Sequence, residues 1–240
     1  MKKTLLLISD GNGVDNNFKK WPFYLSLLTL KTYSVINRSV VGASNELIFM
    51  QLCEAVNKNH IDCAIIQWTI PKRVDVIASE FWLEQASIDP VYHFSIVESN
   101  SQQWWVSSGS KNTYIQEYHN KYISSWQALQ RTQAYIMAAA ELLKSKNIEF
   151  AFSLCYDYEF IDPNKKLIEE YPWIQFNNHK GYSEYRMQSK YYKYDENLPQ
   201  PHTLINLDWI DQVLKPCVPF IDYSPDTFYR LEQSVLKTLT

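Results

Sequence analysis

The sequence predicts an α/β protein, a three-layer α/β/α sandwich around a mostly parallel sheet. Two observations lead to this expectation. Short apolar runs alternate along the chain with stretches of helical periodicity, as in sheets built from βαβ units. Two of the runs, Leu5–Ile8 and Cys63–Gln67, lack the strict alternation of a half-exposed strand, which is typical of strands covered on both faces.

Four strands are predicted. They span Thr4–Ile8, Tyr33–Asn37, Cys63–Gln67 and Phe150–Leu154. The first and third have the most continuous apolar character, and a strand that is buried on both faces belongs in the middle of a sheet. We therefore expect Thr4–Ile8 and Cys63–Gln67 to be adjacent central strands.

The first two helices are marked by the residues at their beginnings. Trp21–Leu30 carries Pro22 in its first turn, where a helix tolerates proline. A second helix follows Gly42-Ala43-Ser44, and its apolar residues recur at helical spacing. They are Leu47, Ile48, Leu52, Cys53 and Val56.

Two further helices are predicted in the second half of the chain. The pattern Tyr114–Lys146 would form a helix about 50 Å long at ~1.5 Å per residue, so a break is expected near Ser124-Ser125. In the last helix, Ser224 is the expected cap and Pro225 fits the first position. Its buried face is expected to consist of Phe228, Leu231, Val235 and Leu239.

One domain covering residues 1–240 is expected, because no repeat, linker or low-complexity tract divides the chain. Two insertions interrupt the α/β pattern. Residues 86–112 contain Trp104-Trp105 and a serine-rich turn, which favours a hairpin. Residues 181–197 contain tyrosines among charged residues, and insertions of this size are commonly surface loops or lids. The tyrosines favour a packed or solvated lid, and a sugar-binding surface is the alternative interpretation.

Composition narrows the classes of function. With 46% hydrophobic residues, the chain can form a sizeable core and is unlike a disordered protein. Its net charge of -3 gives no general attraction to nucleic acid or to an anionic membrane. Aromatic residues make up 15%, which suits a core with stacked rings but identifies no ligand.

The cysteines and the N-terminus predict a cytoplasmic protein. The cysteines have no CxxC spacing, which is typical of reduced structural thiols, and no metal or cofactor is expected. Lys2 and Lys3 are followed by too few apolar residues for a signal-peptide core of roughly 7–15 residues. No run approaches the ~20 apolar residues that span a bilayer. The cysteines are Cys53, Cys63, Cys155 and Cys217.

Ser9-Asp10-Gly11 bears most directly on function. It follows the buried-type run Leu5–Ile8 and resembles the Gly-Asp-Ser block that opens SGNH (GDSL-type) hydrolases, whose sheet is of the flavodoxin-like type. Gly11 stands where the nucleophilic serine of that family would be. Because glycine has no side chain to attack an acyl carbon, the chain is either a hydrolase fold without this chemistry or is wrongly aligned.

The resemblance covers most of the chain and points to an SGNH-like family common in tailed phages. It implies a phage protein located in the host cytoplasm or the virion. Each element that contributes to the resemblance is weak alone, and together they are moderately specific. They are Trp21-Pro22, Asn37, Gly42-Ala43-Ser44-Asn45, Ile66-Gln67-Trp68-Thr69 with Arg73, and Trp126-Gln127-Ala128-Leu129-Gln130.

Most of the catalytic set that the resemblance implies is replaced. Gly42 matches the glycine whose backbone N–H helps to bind an oxyanion. Thr69 stands where the family has an asparagine and lacks its amide donor. Asp222 matches the aspartate of the final block, whereas Tyr223 stands near the position of the histidine. A tyrosine with a pKa near 10 is a poor general base at pH 7.

A ligand site is expected at the carboxyl ends of the strands, where open α/β sheets bind their ligands. The matched blocks predict one pocket, with Tyr223 at its rim. The predicted binding residues are Asp10, Gly11, Asn12, Gly42, Asn45, Thr69, Arg73, Asp222 and Tyr223.

Each of these features also has a purely structural interpretation. Asp10–Gly13 has the composition of an ordinary tight turn. Gly42 would permit close approach of a strand and a helix. Arg73 is either an anion clamp or the partner of a surface carboxylate. Trp68 and Trp126 are more often core residues than platforms for a ligand.

Two hypotheses of function follow. The first is a non-catalytic SGNH-like protein, a binding or structural module, because a Ser–His unit that has lost both partners cannot transfer acyl groups. Its ligand would be a small polar molecule such as a sugar or a nucleotide-like compound. Candidate partners are a virion or host protein and a second copy of the chain, and no membrane is expected.

The second hypothesis is an active esterase, such as a carbohydrate esterase, that uses displaced residues. Ser9 or Ser44 would be the nucleophile and His202 the base. Ser9 lies two positions before Gly11, so the two residues point the same way in an extended strand. A serine within hydrogen-bond distance of a histidine would favour this hypothesis.

Overall fold

Strands and helices alternate through most of the protein. The computed structural model describes residues 2–10, 21–40, 43–71, 75–77, 96–99, 102–106, 124–156, 165–177, 180–194 and 203–237. The strands are β1 (Lys3–Ile8), β2 (Tyr33–Asn37), β3 (Cys63–Trp68), β4 (Asp75–Ile77), β5 (Ile96–Ser99), β6 (Gln102–Val106), β7 (Glu149–Leu154) and β8 (Trp173–Ile174). The helices are α1 (Trp21–Thr29), α2 (Asn45–Lys58), α3 (Ser125–Ser145), α4 (Lys166–Glu170), α5 (Tyr182–Gln188), α6 (Thr203–Trp209), α7 (Lys215–Cys217) and α8 (Pro225–Leu236). A 3-10 turn, Tyr192–Tyr194, follows α5, and a π-helical segment, Ile210–Leu214, joins α6 to α7.

Five strands form a parallel sheet in the order β2-β1-β3-β7-β8. This confirms the predicted α/β fold and the central, adjacent position of the first and third predicted strands. Every residue of β3 is buried, as expected for a strand that is covered on both faces. We call the end of the sheet where Asp10 and Thr69 follow β1 and β3 the carboxyl edge. The opposite end, where Lys3 and Tyr33 begin their strands, is the amino edge.

Successive residues of the central strands contribute to two different cores, because side chains alternate across a sheet. One face packs against α2, α3 and α4, and we call this the α2–α3 core. The opposite face is covered by α1, α5 and α6, and because it contains several tyrosines and tryptophans we call it the aromatic core. The α2–α3 core includes Leu6, Ile8, Ile48, Leu52, Ile66, Ile136, Leu143 and Phe152. The aromatic core includes Leu5, Leu7, Trp21, Ile65, Ala151, Tyr182, Tyr185, Trp209 and Tyr223.

Part of the tyrosine-rich insertion belongs to the aromatic core. Helix α5 begins inside the predicted loop or lid, and Tyr182 and Tyr185 are each 5% exposed. Both rings pack against Trp209, with centroids 5.2 Å away. The Tyr185 hydroxyl also donates to the buried carboxylate of Asp208 at 2.6 Å. These two tyrosines lie on a helix whose inner face is buried, so this part of the insertion is packed rather than solvated.

The hairpin expected around Trp104-Trp105 is present. Strand β5 pairs with β6 in antiparallel fashion, with Val97 opposite Trp104. Strand β4, which precedes the insertion, pairs with the other side of β6, so the hairpin and β4 form a three-stranded sheet in the order β4-β6-β5. The sequence did not predict β4, a strand of three residues.

Three helices begin at the serines that the sequence marks. The side chains of Ser44, Ser124 and Ser224 accept hydrogen bonds from backbone N–H groups three residues later. The long helical pattern is therefore divided near the predicted break, and its part before Ser124 lies outside the described residues. In the last helix, Phe228 and its apolar neighbours are half-buried rather than buried, and Leu239 lies outside the described residues.

None of the four cysteines forms a disulfide. Burial, followed by the nearby Asp62 and Glu149 carboxylates, raises the pKa of the Cys63 thiol to about 12, so this residue is a structural thiol. No helix in the described ranges is both long and apolar enough to cross a bilayer.

A substitution at Gly181 tests how closely α5 packs against the chain at the end of β7. A Cβ at this position would overlap with the carbonyl group of Tyr156 and lie 2.9 Å from the Leu154 carbonyl oxygen. Backbone atoms cannot rotate away, so Gly181→Ala should shift α5 and reduce the free energy of unfolding by about 2–3 kcal/mol in urea titrations. The control is Ser183→Ala, which adds no atom in the same first turn. Equal stability of the two variants would contradict the close packing of Gly181 against the backbone of Leu154 and Tyr156.

Candidate functional site

Three predicted site residues meet at the carboxyl edge. The Thr69 hydroxyl donates to the Asp10 carboxylate at 2.7 Å. The Thr69 backbone N–H donates to Oδ1 of Asn45 at 2.8 Å, and Nδ2 of Asn45 donates to the Thr69 carbonyl oxygen at 3.0 Å. Nδ2 also donates to the Thr132 hydroxyl at 3.0 Å. These bonds join the residues after β1 and β3 to the start of α2 and the middle of α3. We call Asp10, Asn45, Thr69 and Thr132 the edge cluster.

The edge cluster is almost completely buried. Asp10 is 1% exposed, Asn45 and Thr132 are each 2% exposed, and Thr69 has no exposed surface. A buried polar group is stable only when it is hydrogen-bonded, and Asn45 uses both ends of its amide in this way. The Asn45–Thr69 pair therefore holds the chain after β3 against the beginning of α2.

A charged pair lies next to the edge cluster. Glu46 follows Asn45, Arg131 precedes Thr132, and the guanidinium of Arg131 donates to the Glu46 carboxylate at 2.7 Å. Both side chains are partly exposed, at 31% for Glu46 and 40% for Arg131, so the pair is a solvated contact between α2 and α3.

The two serines proposed as displaced nucleophiles are also at this edge. Ser9 and Ser44 are each 1% exposed. The carbonyl oxygen of Ser9 accepts from the backbone N–H of Val40 at 3.1 Å, which continues the pairing of β1 with β2. The Ser44 hydroxyl oxygen accepts from the backbone N–H of Leu47 at 3.3 Å as the cap of α2. Both serines therefore occupy closely packed positions beside the edge cluster.

Buried polar atoms without a hydrogen-bond partner are concentrated at the carboxyl edge. In the described part of the chain there are four such side-chain atoms: Ser39 Oγ, Gln67 Nε2, Trp68 Nε1 and Ser153 Oγ. Gln67 and Trp68 end β3, Ser153 is the last residue but one of β7, and Ser39 lies two residues beyond β2. Such groups are rare in native proteins, and each one requires an explanation, such as strain, a catalytic role, or a bound water molecule or ion.

A second polar network covers the carboxyl edge on the side of the aromatic core. The indole N–H of Trp21 donates to Oε1 of Gln67 at 3.1 Å, and its backbone N–H donates to Oδ1 of Asn206 at 3.1 Å. The same oxygen accepts from the Tyr182 hydroxyl at 2.7 Å. One turn further along α1, the hydroxyls of Tyr24 and Thr203 are 2.8 Å apart. Helix α6 is thus the helix that packs over this edge.

Asp222 and Tyr223 do not reach the edge cluster. They follow Phe220, whose carbonyl oxygen accepts a hydrogen bond from the Tyr33 hydroxyl. Tyr33 pairs with Lys3 at the amino edge, and Lys3 lies seven residues before Asp10, about 23 Å at ~3.3 Å per residue of strand. The expected place of Tyr223 at the rim of the pocket is therefore corrected.

The predicted position of Tyr223 was wrong for a physical reason. A serine cap and a proline show where a helix begins, but not which end of the sheet it packs against. Tyr223 is held in the aromatic core, where its ring stacks on Phe228 and its hydroxyl donates to Asp211 at 3.1 Å. Burial, together with the Asp211 carboxylate, raises the pKa of Tyr223 well above its ordinary value, so it cannot act as a base at neutral pH. Asp222 is exposed.

Several predicted residues lie outside the described residues. They are Gly11, Asn12, Gly42, Arg73 and His202. Within the described ranges, no group of three histidine, cysteine, aspartate or glutamate side chains is arranged to hold a metal ion. Trp68 is a core residue with no exposed surface, whereas Trp126 is 68% exposed and its interpretation as a core residue was wrong.

The sequence analysis missed three residues of this region. Thr132, Gln67 and Ser153 are polar residues in positions where the surrounding pattern requires burial. Thr132 continues the buried stripe of α3 between Ala128 and Ile136, and Gln67 and Ser153 lie in the buried parts of β3 and β7. A polar residue inside a buried pattern is the signal that would have identified them.

No protein-family model and no curated protein matches the sequence. Among solved structures, the protein is similar to a GDSL-like lipase from Bacteroides thetaiotaomicron, with 12% identity, a TM-score of 0.42, and coverage of 90% of this chain and 88% of the other. A protein from Parabacteroides merdae, also described as GDSL-like, has 13% identity, a TM-score of 0.44, and coverage of 88% and 96%. Protein YXIM of Bacillus subtilis has 12% identity, a TM-score of 0.34, and coverage of 100% and 57%.

Asn45 is the residue on which the edge cluster depends most. Asn45→Ala would leave the Thr69 backbone groups and the Thr132 hydroxyl buried without these partners, at a cost of about 3 kcal/mol in the free energy of unfolding measured with urea. The matched control is Asn59→Ala at the other end of α2, where the side chain makes one half-buried bond to the Ala55 carbonyl oxygen. A loss within about 1 kcal/mol is expected for the control. Similar losses for the two variants would contradict the role given to Asn45.

Proposed function

We propose that the protein is a ligand-binding module with an SGNH-hydrolase-like arrangement that does not hydrolyse esters. In this proposal the carboxyl edge binds a small polar molecule, such as a sugar or a nucleotide-like compound. Asp10, Asn45 and Thr69 fix the floor of the site from within. Gly11, Asn12, Gly42 and Arg73 belong to the proposal on the evidence of the sequence.

The concentration of unpartnered buried polar atoms at the carboxyl edge is the observation that carries the binding proposal. Each such atom costs about 1–3 kcal/mol if nothing satisfies it. Three of the four, on Gln67, Trp68 and Ser153, lie on the neighbouring ends of β3 and β7. A polar ligand that offers hydroxyl or carbonyl oxygens to this edge would remove that cost. The amino edge has no such atom among its described residues.

The arrangement of the serines supports the absence of acyl transfer. A serine nucleophile needs an accessible hydroxyl and a base within hydrogen-bond distance. Ser9 and Ser44 are buried, and the Ser44 oxygen caps α2. The histidine that the structure describes, His60, lies before β3 at the amino edge and pairs with Asp62 at 3.4 Å. Tyr223, aligned with the histidine of the final block, lies near the same edge.

An esterase with displaced residues is the second candidate, and one observation favours it. His202 directly precedes Thr203, the first residue of the helix that packs over the carboxyl edge. In this alternative, His202 would activate Ser9 or Ser44, and each serine would first have to become accessible.

The biological setting is part of the same proposal. The resemblance of the sequence blocks to a tailed-phage family supports a virion component or a protein directed at the host. In that setting the protein would act in the host cytoplasm or in the virion, with a virion protein, a host protein or a second copy of the chain as its partner.

The proposal predicts no ester hydrolysis above the uncatalysed rate. The assay uses short-chain aryl esters and acetylated sugars, because a positioned base alone would contribute about 10²–10⁴-fold and would be easily measured. Ser9→Ala, Ser44→Ala and His202→Ala are assayed in parallel. Turnover by the unmodified protein that one of these substitutions abolishes would establish the esterase alternative in place of the proposal.

A further inference from the structure

Gln67 and Ser153 are neighbours on the same face of the sheet. They are register partners on the parallel strands β3 and β7, one position before each strand ends. Ile65 and Ala151, two residues earlier on the same strands, belong to the aromatic core, so Gln67 and Ser153 face the layer that contains α1 and α6. Adjacent strands are about 4.8 Å apart, which brings the two side chains next to each other.

The orientation of the Gln67 amide is fixed by Trp21. An indole N–H can only donate, so the amide atom that it contacts at 3.1 Å must be the oxygen. The amide nitrogen of Gln67 is therefore turned away from Trp21 with its two N–H groups. Nε2 of Gln67 and Oγ of Ser153 are both buried, and neither has a hydrogen-bond partner in the described part of the chain. The residues are 3% and 2% exposed.

One oxygen atom would satisfy both groups. It would accept from the Gln67 amide and would donate to, or accept from, the Ser153 hydroxyl, which is the chemistry of a hydroxyl group. Neither side chain is charged, and a buried anion would require a paired cation, so an uncharged group fits this place best. Leaving two adjacent buried groups unsatisfied would cost more than immobilising one water molecule, which is at most about 2 kcal/mol.

We propose that Gln67 and Ser153 form a subsite for one hydroxyl oxygen, supplied either by the ligand of the carboxyl edge or by a water molecule. The pair lies two residues before Thr69 and Cys155 along the two strands, so a ligand at the edge has its hydroxyl within reach. If the ligand supplies the oxygen, the inference rests on the proposed function, and the ligand is a polyol or a sugar. If water supplies the oxygen, the inference does not depend on that function.

Crystal structures of the unmodified protein, grown without additives and soaked in D-glucose, test the subsite and its source. An oxygen within hydrogen-bond distance of both Gln67 Nε2 and Ser153 Oγ is expected in each crystal. If the oxygen belongs to glucose in the soaked crystal, the ligand is the source. If the oxygen is water in both crystals, the subsite is a hydration site. The proposed binding of sugar is judged by a different observation: it fails if no glucose lies at the carboxyl edge of the soaked crystal. Crystals without an oxygen at this place would overturn the inference.

A solution measurement tests, through the sign of a change in Tm, whether Ser153 Oγ binds an oxygen. If Ser153 Oγ binds an oxygen, Ser153→Ala breaks a buried bond and should lower Tm by about 2–4 °C. If the hydroxyl has no partner, its removal relieves an unsatisfied group and Tm should stay constant or rise, which would overturn the inference. Ser34→Ala, at an exposed position of β2, is the matched control for replacing a serine in a strand.

Discussion

The reciprocal hydrogen bonds between Asn45 and the backbone of Thr69 are the constraint on which the carboxyl edge depends. They attach the chain after β3 to the first turn of α2, and the third bond of Asn45 attaches both to α3. With Thr69 held in this way, its hydroxyl is directed to the carboxylate of Asp10 after β1. Segments that are far apart in sequence are thereby fixed in one buried arrangement.

The polar groups of this arrangement are used within the chain. The hydroxyl of Thr69 binds the Asp10 carboxylate, and the amide of Asn45 binds the Thr69 backbone and the Thr132 hydroxyl. Among the described residues, three of the four unpaired polar atoms lie on β3 and β7 on both faces of the sheet: Trp68 faces the α2–α3 core, and Gln67 and Ser153 face the aromatic core. In the proposed function, the edge cluster makes the carboxyl edge rigid, and the unpaired atoms around it contact the ligand.

Much of the fold could be predicted because burial on both faces leaves a clear pattern in the sequence. The continuous apolar runs located β1 and β3, and the capping Ser224 located the beginning of the last helix, since both signals are local. The proximity of Asp10, Asn45 and Thr69 was also predictable, because the carboxyl ends of parallel strands share one edge. The positions of Tyr223 and α5 were not, because they depend on which surface a helix finally packs against. Tyrosines among charges look alike in sequence whether they face solvent or, as Tyr182 does, a buried tryptophan.

The central claim, that ligands bind at the carboxyl edge, is tested most directly by the indole N–H signals of the tryptophans in NMR titrations. D-glucose, N-acetyl-D-glucosamine and adenosine are suitable probes. The account predicts that a binding probe shifts the signals of Trp21 and Trp68, which lie at the edge. The signal of Trp173, whose indole donates to the Leu167 carbonyl oxygen at 2.8 Å, should stay constant. Shifts at Trp173 with none at Trp21 and Trp68, or no shift with any probe at saturating concentration, would contradict the claim.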